Sequence, residues 1–180
     1  MSTPLHVLND DDLLQAQCEA CDAWCCVLLH VDDDHHQVLT SAGERCGHLR
    51  GAACGVYDAR LQRGYSACLS FDCHGAGQRL SQLVRAGDVD DVENAFWTLR
   101  QLHRWRRELR ALRVVLNDET ELLHFAQKLR SAGPDADLIH LGRERDALVQ
   151  KAMQELRDRQ PVAQRRPRLP MHSPLHMRDE

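Results

Sequence analysis

Hydrophobic positions follow two different patterns along this chain. From Cys18 to Gly77 they come in short, irregular groups. Val27-Leu28-Leu29 predicts one short strand and Gln37-Val38-Leu39 a second, with Gly43, Gly47, Gly51, Gly55 and Gly64 marking turns. Beyond Gly75-Ala76-Gly77 the period becomes helical. Leu80, Leu83 and Val84 share one face, and Gly87 breaks that helix. Ala95, Leu99, Leu102, Arg106, Leu109, Leu112 and Leu116 then recur at three- and four-residue steps, predicting a long helix from about Asp90 or Asp91 to near Asn117. Asp118 and Glu121 have capping-box-like spacing, and Leu122, Leu123, Phe125, Ala126 and Leu129 carry the next helix to the Gly133-Pro134 stop. A last helix, from Asp135 or Asp137 to about Arg159, aligns Leu138, Leu141, Leu148, Ala152 and Leu156. The first 17 residues read as a polar lead in which the acidic run Asp10 to Asp12 precedes Leu13 and Leu14. After Pro161, prolines and arginines without apolar periodicity predict a disordered tail.

Composition explains what the irregular half needs. Aromatic residues make up only 4% of the 180-residue chain, so large rings supply little core there. All eight cysteines, Cys18, Cys21, Cys25, Cys26, Cys46, Cys54, Cys68 and Cys73, fall inside it. The N-terminus shows no basic and apolar leader pattern, and no stretch approaches a membrane span, so a cytoplasmic protein without membrane attachment is expected. In a reducing compartment, clustered cysteines point to metal ligation before disulfides. Net charge is -4, unevenly spread: residues 1–90 carry 6 basic and 13 acidic side chains, whereas the second half is net positive and Arg-rich. The predicted architecture is therefore mainly α. An irregular, metal-nucleated Cys-rich module (1–78) packs on α-helices (79–160), followed by the tail (161–180).

The densest chemistry is Cys18-Glu-Ala-Cys21-Asp-Ala-Trp-Cys25-Cys26. A Cys-x-x-Cys turn lets two sulfurs converge on one metal, and a tetrahedral site then needs two further ligands. Cys46, Cys54, Cys68 and Cys73 can supply them, as two four-sulfur sites or as one cluster with spare ligands. Adjacent Cys25 and Cys26 are expected to diverge and serve different metals, or one metal and the core. His48 and His74 are candidate replacements for a thiolate, although the thiols already suffice.

The order CxxCxxxCC, then Gly43-x-x-Cys46, Cys54-Gly-Val-Tyr57 and Cys68-Leu-Ser-Phe71, resembles the bacterial zinc- or iron-chelating CxxCxxxCC domain family over residues 18 to 77. Asp72-Cys73-His-Gly-Ala-Gly-Gln78 is similar to a segment of a subgroup often labelled pentapeptide-repeat proteins, yet no such repeat is present here. The resemblance implies zinc or an iron–sulfur cluster bound through the eight cysteines.

Other features carry less. Gly75-Ala76-Gly77-Gln78 opens a helix whose free N–H groups suit an anion or metal-bound sulfurs, but a tight turn is the simpler reading. Arg100, Arg104, Arg106, Arg107, Arg110 and Arg113, with Trp97 and Trp105 between them, raise the alternative of a zinc-stabilised adaptor that binds a protein or nucleic acid. The net acidity of the whole chain disfavours nucleic acid. Asp32-Asp33-Asp34-His35-His36 reads as an exposed turn between the two strands. No Ser-His-Asp order, phosphate loop or dinucleotide fingerprint stands in the right context, so no catalytic residue is assigned and enzymatic activity stays open.

Overall fold

The computed structural model describes residues 12–33 and 35–159. The polar lead up to Asp11, Asp34 and the tail predicted beyond Pro161 lie outside the described residues. The protein is mainly helical. In chain order the elements are α1 (Cys25–Leu28), β1 (Val31–Asp32), β2 (Val38–Thr40), β3 (Leu49–Arg50), β4 (Ala53–Cys54), α2 (Ser66–Ser70), α3 (Ala76–Ala86), α4 (Val92–Arg113), α5 (Thr120–Ser131) and α6 (Leu138–Arg159). The strands form two small antiparallel pairs, β1 with β2 and β3 with β4. None of these strands is long enough to bury a face, so the first half is a set of loops tied to the helices that follow.

The three long helices follow the predicted periodicity. Asp91 caps α4, its carboxylate accepting from Asn94 N–H at 3.0 Å, and Asp137 accepts from the N–H groups of Ile139 and His140 at the start of α6. Two expectations are corrected. Val27-Leu28-Leu29 is not a strand, because Cys25–Leu28 closes a helical turn in which Leu28 N–H donates to Trp24 O at 2.8 Å. Helical spacing places Trp24, Val27 and Leu28 in one apolar cluster, a payoff that an apolar triplet cannot reveal by periodicity. Asp118 and Glu121 make no capping box. Asp118 instead accepts from the N–H and hydroxyl of Thr120 (2.9 and 2.7 Å), and Glu119 takes the cap position without a side-chain capping bond.

Two apolar clusters share α4. Its first half, with Ala95, Phe96 and Leu99, packs against Leu80 and Leu83 of α3 and against Leu28. Its second half, with Leu102, Trp105 and Leu109, meets Leu122, Phe125 and Leu129 of α5 and Leu141, Leu148 and Ala152 of α6. Where α6 crosses α4, Gly142 faces the Trp105 ring; a Cβ there would make an ordinary van der Waals contact with it at 3.6 Å. Burial of each such large apolar side chain contributes about 1.5–3 kcal/mol. The 22-residue α4 is thus the spine on which both halves are mounted. Among the described residues, no helix is long and apolar enough to cross a membrane.

Candidate metal centre

The Cys18-x-x-Cys21 segment is a tight turn, Cys21 N–H donating to Cys18 O at 3.2 Å, and it is fastened to α3 by polar side chains. The buried amide of Gln78 accepts from Gln17 N–H (3.0 Å) and donates to Gln15 O (2.8 Å). One turn on, the fully buried Ser81 hydroxyl accepts from Asp22 N–H (2.8 Å) and from the Trp24 indole N–H (3.0 Å). Arg85 then pairs with Asp22 at 2.6 Å. Gln78, Ser81 and Arg85 lie at helical spacing on one face of α3, so this face is a polar ladder that satisfies the backbone of an otherwise irregular loop. Sequence reasoning missed Ser81 and Arg85, and named Gln78 only as part of the segment that opens α3. The available signal was a Gln and a Ser interleaved with Leu80 and Leu83 on the face that packs inward.

Two glycines bring the helix and loop together. Gly75 adopts φ 78°, and a Cβ there would collide with the Leu13 carbonyl. At Gly77 a Cβ would stand 2.6 Å from Cys21 Sγ and 4.0 Å from Cys73 Sγ. The first turn of α3 therefore lies directly against the Cys21 sulfur, with the Cys73 sulfur just beyond it. The Gly-Ala-Gly turn is required by this approach as well as by chain reversal.

The eight thiols are all free and fall into two neighbourhoods. Burial raises the Cys18 and Cys21 thiols above the usual range, and in both cases Cys25 and Cys73 add to the effect. Cys21 also has backbone N–H partners in Trp24 and Ala23, which partly offset that rise. Burial likewise raises Cys68, reinforced by Cys25, Cys46 and Cys54. The backbone supports this second grouping. Cys46 N–H donates to Cys26 O at 2.8 Å, and Cys54 pairs across the hairpin with Leu49, whose N–H bonds Cys46 O.

Cys25 and Cys26 do not diverge as expected. On helical turn α1 the Cys26 thiol hydrogen-bonds the Cys25 sulfur, lowering Cys25 to about 7 and raising Cys26, which Cys54 and Cys46 raise further. Cys25 thereby borders both neighbourhoods: Cys18, Cys21 and Cys73 on one side, Cys26, Cys46, Cys54 and Cys68 on the other. Mutual repulsion of this kind is reversed by a cation placed among the sulfurs.

Arg60 is a further site residue not foreseen from sequence. Its charge lowers Cys18, Cys25 and Cys68 against the effect of burial, while its guanidinium stacks 3.8 Å over the Tyr57 ring and donates to Cys68 O at 3.2 Å. A largely apolar cavity of about 380 Å³ opens between these groups, lined by Cys18, Cys21, Cys25, Cys54 and Cys73 and backed by Phe96.

The two candidate histidines are engaged in other contacts. His48 packs edge-on to Tyr65, with ring centroids 5.2 Å apart. His74, at φ 51°, presents Nδ1 to Asp72 (2.9 Å) and Arg107 (2.8 Å). Burial would raise Asp72, but the His74 N–H and Arg107 outweigh it and hold the carboxyl below its ordinary range. Arg100 donates to Asp72 O at 2.9 Å and covers the Phe71 ring, and His103 Nδ1 meets His74 O at 2.7 Å. Thus Arg100 and Arg107 of the Arg-rich helix are used to hold the Asp72-Cys73-His74 turn onto α4. Arg104 pairs with Glu108, Arg113 with Glu119, and Glu108 with Arg145 of α6.

The donor set suits thiophilic metals in kind and number, since soft thiolates select zinc and iron–sulfur centres. Among the described residues, no three His, Cys, Asp or Glu side chains already stand in coordination geometry. No family model matches the chain, and no solved structure matches it. The uncharacterized protein YybG of Bacillus subtilis (strain 168) is 26% identical over 100 residues, covering 50% of this chain and 36% of that protein. The chain thus spans about a third of the length of the curated relative it matches.

Proposed function

We propose that this protein binds zinc or an iron–sulfur cluster through its eight cysteines, in a structural or electron-carrying role. The supporting observation is the gathering of free thiols from six segments spread over residues 18 to 73 into two adjoining neighbourhoods beside the start of α3. Cys18, Cys21 and Cys73 would hold one centre and Cys26, Cys46, Cys54 and Cys68 the other, with Cys25 available to the first as its fourth sulfur. When bound, such a centre supplies cross-links to the loops or, if it contains iron, a store for one electron. The chain's own contribution is positional. Gln78 and Ser81 fix the Cys18-x-x-Cys21 turn, Gly77 admits the Cys21 sulfur, and Arg60 offsets part of the accumulated negative charge.

The adaptor reading has less support, because four of the arginines that suggested it, Arg100, Arg104, Arg107 and Arg113, make intramolecular contacts. The decisive experiment is anaerobic purification of untagged protein followed by absorption spectroscopy and elemental analysis per chain. Brown protein with iron and sulfide supports a cluster, and colourless protein with stoichiometric zinc supports a structural centre. Folded protein without either metal overturns the proposal.

A further inference from the structure

Three side chains of α4 grip the turn that carries Cys73, each at a different atom. Arg100 Nε–H donates to the Asp72 carbonyl at 2.9 Å. His103, only 7% exposed, meets the His74 carbonyl with Nδ1 at 2.7 Å, a contact that puts the ring proton on Nδ1. Arg107 donates to the Asp72 carboxylate at 2.6 Å, and His74 Nδ1 stands 2.9 Å from the same oxygen. Steps of three and four residues place Arg100, His103 and Arg107 on one face of the helix.

The turn's own bonds complete the hold. Cys73 O accepts from Ala76 N–H at 2.9 Å, and Asp72 Oδ1 accepts from His74 N–H at 2.7 Å. Every carbonyl from Asp72 to His74 therefore has a donor. His74 is kept at φ 51°, a left-handed conformation that a non-glycine residue holds only when its surroundings dictate it. Docking of α3 on α4 needs none of these bonds, since Leu80, Leu83, Ala95, Phe96 and Leu99 already form an apolar contact. The polar grip falls instead on the two residues that flank Cys73, whose sulfur lies just beyond Cys21 Sγ at Gly77.

We infer that Arg107, together with Arg100 and His103, is a positioning residue for the centre proposed at Cys18, Cys21 and Cys73. This role rests on that reading of the thiols. With the main chain fixed on both sides of Cys73, its sulfur is held toward Cys21, and two distant segments can offer thiolates to one ion without further ordering. Groups that orient metal ligands from behind change metal affinity about 10–100-fold when they are removed.

The test is titration of the full reduced chain with cobalt(II), whose visible absorption reports thiolate-bound ions. The ion that depends on Cys73 is identified by its loss in Cys73→Ser. Arg107→Gln is expected to weaken that ion about 10–100-fold and to leave ions that Cys73→Ser spares unchanged. Asp72→Ala, which keeps both arginines, is expected to weaken the same ion. A pure charge effect would give the two variants opposite outcomes, because removing a cation favours a bound metal and removing an anion disfavours it. Arg104→Gln, which loses only a partner on α4 itself, Glu108, is expected to bind as the native chain does. Should Arg107→Gln fail to fold, as judged by thermal unfolding, Arg100→Gln provides the same comparison. A native chain that takes up no cobalt overturns the metal reading and this role with it. Where the native chain does take up cobalt, the role alone is overturned by any of four results: no loss in Cys73→Ser, native affinity in the Arg107 and Asp72 variants, opposite effects of the two, or equal weakening of the ions that Cys73→Ser spares.

Discussion

The Cys-rich half and the helical half reach order by different means. From Ala76 onward, 17 buried hydrophobic side chains build two continuous clusters around α4, whereas residues 12–75 contribute six, Leu14, Ala23, Leu28, Val31, Leu49 and Tyr65. With strands of two or three residues and so few buried groups, the first half lacks the apolar area that usually offsets chain entropy. What it has instead is attachment, through the Gln78 and Ser81 ladder and the Asp72 turn on Arg100 and Arg107, together with eight free thiols that the proposed metal would draw together. A small, poorly packed module of this kind is where a structural metal has the most to contribute.

That contrast is broken most severely by removing the proposed metal. Structural zinc contributes on the order of 10 kcal/mol to small thiolate modules near neutral pH. Chelation, or Cys21→Ser, is therefore expected to abolish hydrogen-exchange protection of amides between Cys18 and Cys68 while α5 and α6 keep theirs. Unchanged protection in metal-stripped protein would mean that the loops are held by α3 and α4 alone.

The reverse perturbation is smaller. Leu122 is fully buried among α4, α5 and α6, far in sequence from every cysteine, and Leu122→Ala is expected to destabilise the helical half by about 2–5 kcal/mol. Urea unfolding followed by far-UV circular dichroism should shift to lower denaturant, with metal content per folded chain unchanged. If metal is instead released in the same transition, α4 couples the two halves into one cooperative unit.

This difference in construction also decides what the sequence could reveal. Helices α4, α5 and α6 were legible because Leu99, Leu102, Leu109, Leu122, Leu129, Leu141 and Leu148 repeat with the helix period, and that period is a direct imprint of the face they bury. Candidate thiols were legible by residue type. Their grouping was not, since which of Cys46, Cys54, Cys68 and Cys73 meets Cys21 depends on loop paths with no periodic signature. Helix α1 was misread because Val27-Leu28-Leu29 is too short to show a period. His74 illustrates the limit in one residue: it adjoins Cys73 in the chain, yet a left-handed backbone brings its ring to Asp72 and Arg107.

The subtlest way to sharpen the comparison is Ser81→Ala, which touches only the attachment between halves. The substitution removes no large apolar group and creates little space, and alanine favours the helix slightly more than serine does. Its effect comes from the partners. Asp22 N–H and the Trp24 indole N–H both donate to the Ser81 hydroxyl at a fully buried position, and each would lose its acceptor. Leaving buried donors unsatisfied costs about 1–3 kcal/mol, less if water reaches the site. Because both donors belong to the segment joining Cys21 to Cys25, the loss should fall on the loop rather than on α3. Exchange of the Asp22 amide should accelerate and the Trp24 fluorescence should shift to the red, while α5 and α6 retain native protection. If the substitution lowered the stability of α5 and α6 by the same amount, the first half could not be the separately held layer that its sparse core implies.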